Sequence, residues 1–219
     1  MKNSYFNDSR PAMVCLALLG ICTASYAASP ATAPVDLSYL RARHLWIDGD
    51  LISAQKVYDQ RGEHVLVLSR KAGPSSTAPG SKRIERIALH AAYYSQRSSA
   101  WKEDWAVRDF VDCPGLDAAA DFFTSELSVT DINNDGTAEV TIPYKLFCGG
   151  GVDSYTVKVI LREGPLKLAI RGESEVRLPG QAPFGGGHQL DRPLLTQPYK
   201  LYREHLENVW RTVSIDTRK

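Results

Sequence analysis

Apolar and polar residues alternate with a period of two along most of this chain, and only its last stretch changes to helical spacing. Val140, Ile142, Tyr144 and Leu146 are separated by Thr141, Pro143, Lys145 and Phe147. Tyr155, Val157, Val159 and Leu161 repeat the pattern, and Leu166, Leu168 and Ile170 resume it after Glu163-Gly164-Pro165. Successive side chains of a strand point to opposite faces, so this alternation predicts antiparallel strands with one face on a core. Pro143 has no ladder donor, which places its strand at an edge or a bulge. Upstream, Gln55 to Asp59 and His64 to Leu68 read as a hairpin across Gln60-Arg61-Gly62-Glu63. The continuous run Val65-Leu66-Val67-Leu68 suits a strand covered on both faces. Ile87, Leu89, Ala91 and Tyr93 predict one face of a longer strand. Trp101, Trp105 and Val107 predict one face of the next, with Glu103 breaking the alternation and Asp112-Cys113-Pro114-Gly115 closing the pair.

Residues 40–47 fit either a first strand or a short helical turn, and 72–81 and 178–193 read as loops from their Gly and Pro content. Tyr199, Tyr202, Leu206, Val209, Trp210 and Val213 recur at helical spacing and form one apolar stripe, the usual face for docking onto a sheet. The predicted fold class is mainly β: antiparallel sheets or a sandwich with one C-terminal amphipathic helix packed on it.

Composition changes the picture first at the N-terminus. Lys2 and Arg10 precede an apolar run from Ala12 to Ile21, and Ser25-Tyr26-Ala27 supplies small residues. That is the order of a secretory signal peptide cleaved after Ala27. The run is too short for a spanning helix, which needs about 20 apolar residues. The bulky Ile21 argues against lipid attachment at Cys22. Residues 1–27 are therefore read as a signal peptide, 28–36 as a flexible tether and 37–219 as a single mostly-β domain. The chain carries a formal charge of +1, and without Lys2, Arg10 and Asp8 its acidic and basic side chains balance. Nucleic acid is thereby set aside as a partner, and no segment after the signal is apolar enough to cross a membrane. Cys15 and Cys22 leave with the signal, and the remaining pair, Cys113 and Cys148, predicts one disulfide in an oxidising compartment.

The most specific motif is Asp131-Ile132-Asn133-Asn134-Asp135-Gly136-Thr137-Ala138-Glu139. Asp131, Asn133, Asp135 and Glu139 offer side-chain oxygens, Thr137 a carbonyl, and Gly136 the freedom to turn, which is a ligand set for Ca2+. Position twelve is Ile142 and the flanks read as strands, so the loop is not an EF-hand. It resembles the calcium loops of FG-GAP repeats. The alternative is a metal-free turn in which Asn and Asp side chains bond their own backbone. Asp112-Cys113-Pro114, this loop with Val140, Tyr144-Lys145, Cys148, Lys158 and Ala169-Ile170-Arg171-Gly172 together resemble a family of small exported bacterial proteins. Some of its members carry a surface-polysaccharide-biosynthesis label. The label implies a cellular context and no catalytic residues.

Enzymatic motifs fail individually. Ser53-Ala54-Gln55-Lys56 and Ser99-Ala100-Trp101-Lys102 match S-x-x-K, but a strand separates the two side chains that a helix would bring together. His44, His64, His90, His188 and His205 are scattered, with His64 and His90 in strand patterns that suit an ordinary core or surface role. Phe184-Gly185-Gly186-Gly187-His188 reads as a flexible connection, with a binding loop as the alternative. No catalytic residue is assigned. The reading is a non-catalytic exported domain of the periplasm or cell envelope that binds a glycan or an envelope protein. The alternatives are a hydrolase of surface glycan with an unidentified Asp/Glu pair, and a purely structural stability module.

Overall fold

A computed structural model describes residues 29–75 and 84–218; the expected signal segment and its cleavage point lie outside them. The protein is mainly β. Strands β1 (Ala31–Pro34), β2 (Asp50–Asp59), β3 (Gly62–Pro74), β4 (Glu85–Arg97) and β5 (Ala100–Cys113) form a five-stranded antiparallel sheet in chain order. Helix α1 (Leu37–Ala42) connects β1 to β2, started by the Asp36 carboxylate, which accepts from the Tyr39 N–H at 2.8 Å. A second sheet holds β6 (Asp117–Phe122), β7 (Ser128–Thr130), β8 (Glu139–Gly149), β9 (Thr156–Glu163) and β10 (Leu166–Glu173). A small third sheet sets β11 (Glu175–Arg177) against β12 (Phe184–Gly185). Strand β13 (His188–Leu190) pairs with β10, helix α2 spans Lys200–Val213, and β14 (Ile215–Thr217) runs parallel to β11.

The two larger sheets pack face to face. Leu66, Leu68, Ile87, Leu89, Trp105 and Val107 from the first meet Val140, Ile142, Tyr144, Ile160 and Ala169 from the second in one core. The outer faces are also covered. Leu40 of α1 packs with Val65, Val67, Ala92 and Tyr94, which is why residues 65–68 are apolar without a break. On the other side Tyr202, Leu206, Trp210 and Val213 of α2 cover Val157, Val159, Leu161, Leu168 and Ile170. Burying each such large side chain stabilises the fold by about 1.5–3 kcal/mol.

Several expectations need correction. The stretch expected as an extended, flexible tether is paired over part of its length: Ala31–Pro34 lies antiparallel to β2, opposite residues 55–58. Pro143 lies in neither an edge strand nor a bulge. Strand β8 is flanked by β9 on one side and by β6 and then β7 on the other, and Pro143 falls in the gap between those two, where no donor is asked of it. Trp101 does not share a face with Trp105. The register shifts between Tyr93, opposite Trp105, and Tyr94, opposite Glu103, so Asp104 is an extra residue. That bulge turns Trp101 to the α1 side while Trp105 stays in the inner core. The glycine run is no slack connection: its ends are β12 and β13, and a Cβ on Gly172 would overlap the Gly187 carbonyl where β10 and the run pass closely.

Candidate functional site

Asp131 and Asn133 act through the loop's own amides. Asp131 accepts from the N–H groups of Asp135 and Gly136, at 2.9 and 3.0 Å, and Asn133 Oδ1 also accepts from Asp135 N. Asp135 Oδ1 accepts from Thr137 N at 2.7 Å. Burial raises the Asp135 carboxyl, but the Thr137 N–H, the Asn133 amide and the Arg61 charge outweigh it and hold the group below its ordinary value. Gly136 adopts φ +78°, and its space is taken by the Gln60 side chain. The β2–β3 turn grips the same loop, with Gln60 N donating to Gly136 O at 2.9 Å.

Glu139 stands apart from its neighbours in the motif. It is fully buried, and Oε2 accepts from Ile132 N at 2.8 Å and from the Thr130 hydroxyl at 3.3 Å. Oε1 has no hydrogen-bond partner among the described residues. Burial, with Glu163 adding to it, pushes this carboxyl up to about 7. Glu163 in turn accepts from Tyr202 of α2 at 2.8 Å, and Asn133 donates to the same Tyr202 oxygen at 2.8 Å. The structure thus brings Asp131, Asn133 and Asp135 together and tucks Glu139 behind them. Among the described residues no three His, Cys, Asp or Glu side chains gather as a metal-ligand group. The expected disulfide is present: Cys113 and Cys148 are bonded with Cα atoms 5.3 Å apart, joining the end of β5 to the end of β8.

A second polar constellation, which no sequence motif marks, lies beside this loop in a cavity of about 530 Å3. His64 and Ser95 face each other across β3 and β4, and the ring Nδ1 lies 2.6 Å from Ser95 Oγ. The ring Nε2 lies 2.9 Å from Asp59 Oδ1, at the end of β2. Asp59 accepts three hydrogen bonds in all: Oδ1 also takes Arg61 N at 2.7 Å, and Oδ2 takes Ala138 N at 2.9 Å. A carboxylate with those donors needs Nε2 to donate as well, so in the neutral ring the Nδ1 lone pair is aimed at Ser95. On its other side the Ser95 hydroxyl donates to Asp104, so its one proton is contested between the Asp104 carboxylate and the His64 Nδ1 lone pair. Asp104 also accepts from Arg97 at 2.6 Å.

Each member is placed by backbone geometry. Register makes His64 and Ser95 neighbours, the tight β2–β3 turn returns Asp59 to the ring, and the β5 bulge re-aims Asp104. Tyr93 stacks between His64 and Trp105, with ring centres 5.0 and 4.8 Å away, and fixes the imidazole plane. Burial raises the Tyr93 phenol far above its ordinary value, so it remains a neutral wall. Arg61 lines the cavity, is exposed, and forms no ion pair among the described residues. The one trace of this site in the sequence is the broken alternation at Glu103, the mark of the bulge.

No family model, curated protein or solved structure matches this chain. Among the described residues no helix is long and apolar enough to cross a membrane.

Proposed function

We propose that this is an exported cell-envelope domain whose cavity binds the hydroxyl-rich end of a glycan, with a disulfide and a calcium loop stabilising the frame. The composition of the cavity wall carries the reading. Concave sites of about 300–1,000 Å3 with a few convergent polar groups are the usual form of a small-ligand site. Here Asp104 and Asp59 alternate with Arg61 and Arg97 around a hydroxyl, an imidazole and an aromatic wall. Opposite charges balance, so a polyol that both donates and accepts suits the site better than a strongly charged ligand. Export is supported by the Cys113–Cys148 bond, which needs an oxidising compartment. Calcium held by Asp131, Asn133, Asp135, the Thr137 carbonyl and Glu139 is supported by the buried, unpartnered Glu139 Oε1. A glycosidase is less well supported, because Asp59 already accepts three donors and Asp104 is engaged by Ser95 and Arg97, so neither carboxyl is free for acid or base work.

Glycan-array screening followed by calorimetric titration tests the reading. Arg61 and Gln96 are exposed, so Arg61→Ala and Gln96→Ala should keep the wild-type melting temperature. Losing a charged hydrogen bond costs about 1.5–3 kcal/mol, so affinity for the selected glycan should fall roughly tenfold or more in Arg61→Ala. A protein that binds no glycan, or binds equally well after both substitutions, refutes the proposal.

A further inference from the structure

The geometry points to a reaction in the same cavity: we propose that Ser95 is the nucleophile of an acyl-transfer site that removes ester-linked acyl groups from a hydroxyl-rich ligand. The choice of ligand rests on the reading above; the nucleophile rests on the side-chain chain itself. A serine activated for attack needs a base in contact with its hydroxyl and a third group that orients the base. His64 Nδ1 at 2.6 Å is that base, and Asp59 at 2.9 Å from Nε2 fixes the tautomer that leaves Nδ1 free to take a proton. The ring is turned relative to the serine proteases, where Nε2 faces the serine. The roles of the two nitrogens exchange with the tautomer, so the logic is unchanged. Asp104, held by Arg97, accepts the Ser95 proton from the far side, so it is a positioning residue, and attack begins when the hydroxyl turns that proton from Asp104 to Nδ1.

The location also separates this chain from an ordinary core network. Ser95 and His64 are almost fully buried yet both line the cavity, so the hydroxyl stands at the cavity wall. The Arg61 guanidinium lines the same space without a carboxylate partner among the described residues, and supplies a donor for the negative charge that develops on the ester oxygen.

The step balances with water as the only co-reactant. Ser95 Oγ bonds to the ester carbonyl carbon as its proton passes to His64 Nδ1. The C–O bond to the sugar breaks, and the departing oxygen takes that proton and leaves as the free hydroxyl. The acyl group is then an ester of Ser95. A water gives a proton to Nδ1 and attacks the same carbon. The carboxylic acid leaves as Oγ recovers the proton, and no redox change occurs.

The test uses the mature wild-type protein and a fluorophosphonate, which phosphonylates activated serines with loss of fluoride. One adduct per chain, mapped by peptide mass spectrometry to Ser95, is expected. Hydrolysis of p-nitrophenyl acetate should vanish in Ser95→Ala. Both labelling and hydrolysis should drop at least a hundredfold in His64→Gln, the usual scale for losing a general base. Mapping on wild type locates the adduct whether or not either variant folds. No adduct on folded wild-type protein, an adduct elsewhere, or labelling unchanged in a folded His64→Gln overturns the nucleophile. The two readings fail separately: a Ser95 adduct in a protein that binds no glycan sinks the glycan, and glycan binding without an adduct sinks the nucleophile.

Discussion

His205 shows how α2 places a polar side chain at an otherwise apolar seam. Its Nε2 lies 2.9 Å from the Thr141 hydroxyl, and burial lowers its affinity for a proton below that of a free histidine. Above the unfolded value of about 6.5 both states are neutral and the group has no effect on stability. Below it the unfolded chain binds the proton more readily, so stability falls with pH until the folded value is passed. His205→Gln keeps a partner for Thr141 and cannot titrate. Urea midpoints measured from pH 7.5 to 5 should therefore show wild type losing ground to the variant below pH 6.5, by at most about 1.4 kcal/mol per pH unit. Parallel pH curves would show that His205 titrates alike in both states. At this scale the sequence was legible where chemistry is local. Asp131, Asn133 and Asp135 could be read as one cluster because their spacing within a single loop makes them neighbours. Asp59, His64, Ser95 and Asp104 could not, because cross-strand register and a one-residue bulge bring them together.

At the scale of elements, the strands with strict alternation were legible because burial on one face leaves a period of two. Strands β9 and β10 fit that description, though their predicted apolar faces point to α2 and not to the sandwich interior. The short strands β6, β7 and β11 to β14 have little room for a period and left no usable pattern. Helix α2 was legible from its stripe, and it sets a quantitative expectation. Trp210 is 5% exposed among Leu168, Ile170 and Leu206. Trp210→Ala should cost about 3–5 kcal/mol, read as a shift in denaturation midpoint; a loss under about 1 kcal/mol would mean the helix carries little of the fold. The 131–139 loop gives another. At calcium about ten times a dissociation constant of roughly 0.1–1 mM, linkage adds about 1.4 kcal/mol. That corresponds to a rise in melting temperature of about 3–6 °C for a chain of this size. Wild type should show this rise over chelator, and Asp135→Ala should not. An unchanged wild-type melting curve would leave the loop as a turn closed by its own side chains.

The molecule stacks α1, the two large sheets and α2, and the disulfide adds a covalent cross-link between those sheets. Cys113 and Cys148 are separated by 35 residues. In the chain-entropy model a loop of that length restricts the unfolded chain by about 4 kcal/mol. Reduction should lower the urea midpoint accordingly, while the far-ultraviolet circular dichroism of the sheets survives at low denaturant. A midpoint indifferent to reductant would show that the apolar core alone joins the sheets.

Strand β5, with 14 residues from Ala100 to Cys113, is an edge of the first sheet. A long open edge offers unpaired backbone groups on which another chain can continue the sheet, and uninterrupted edges of this kind are routes to fibrils. This one is interrupted in two ways. The extra residue at Asp104 breaks the regular spacing of donors and acceptors, and Lys102, Glu103, Arg108, Asp109 and Asp112 distribute charge along it. The backbone irregularity that aims Asp104 at Ser95 therefore also works against neighbouring copies zipping together along this edge.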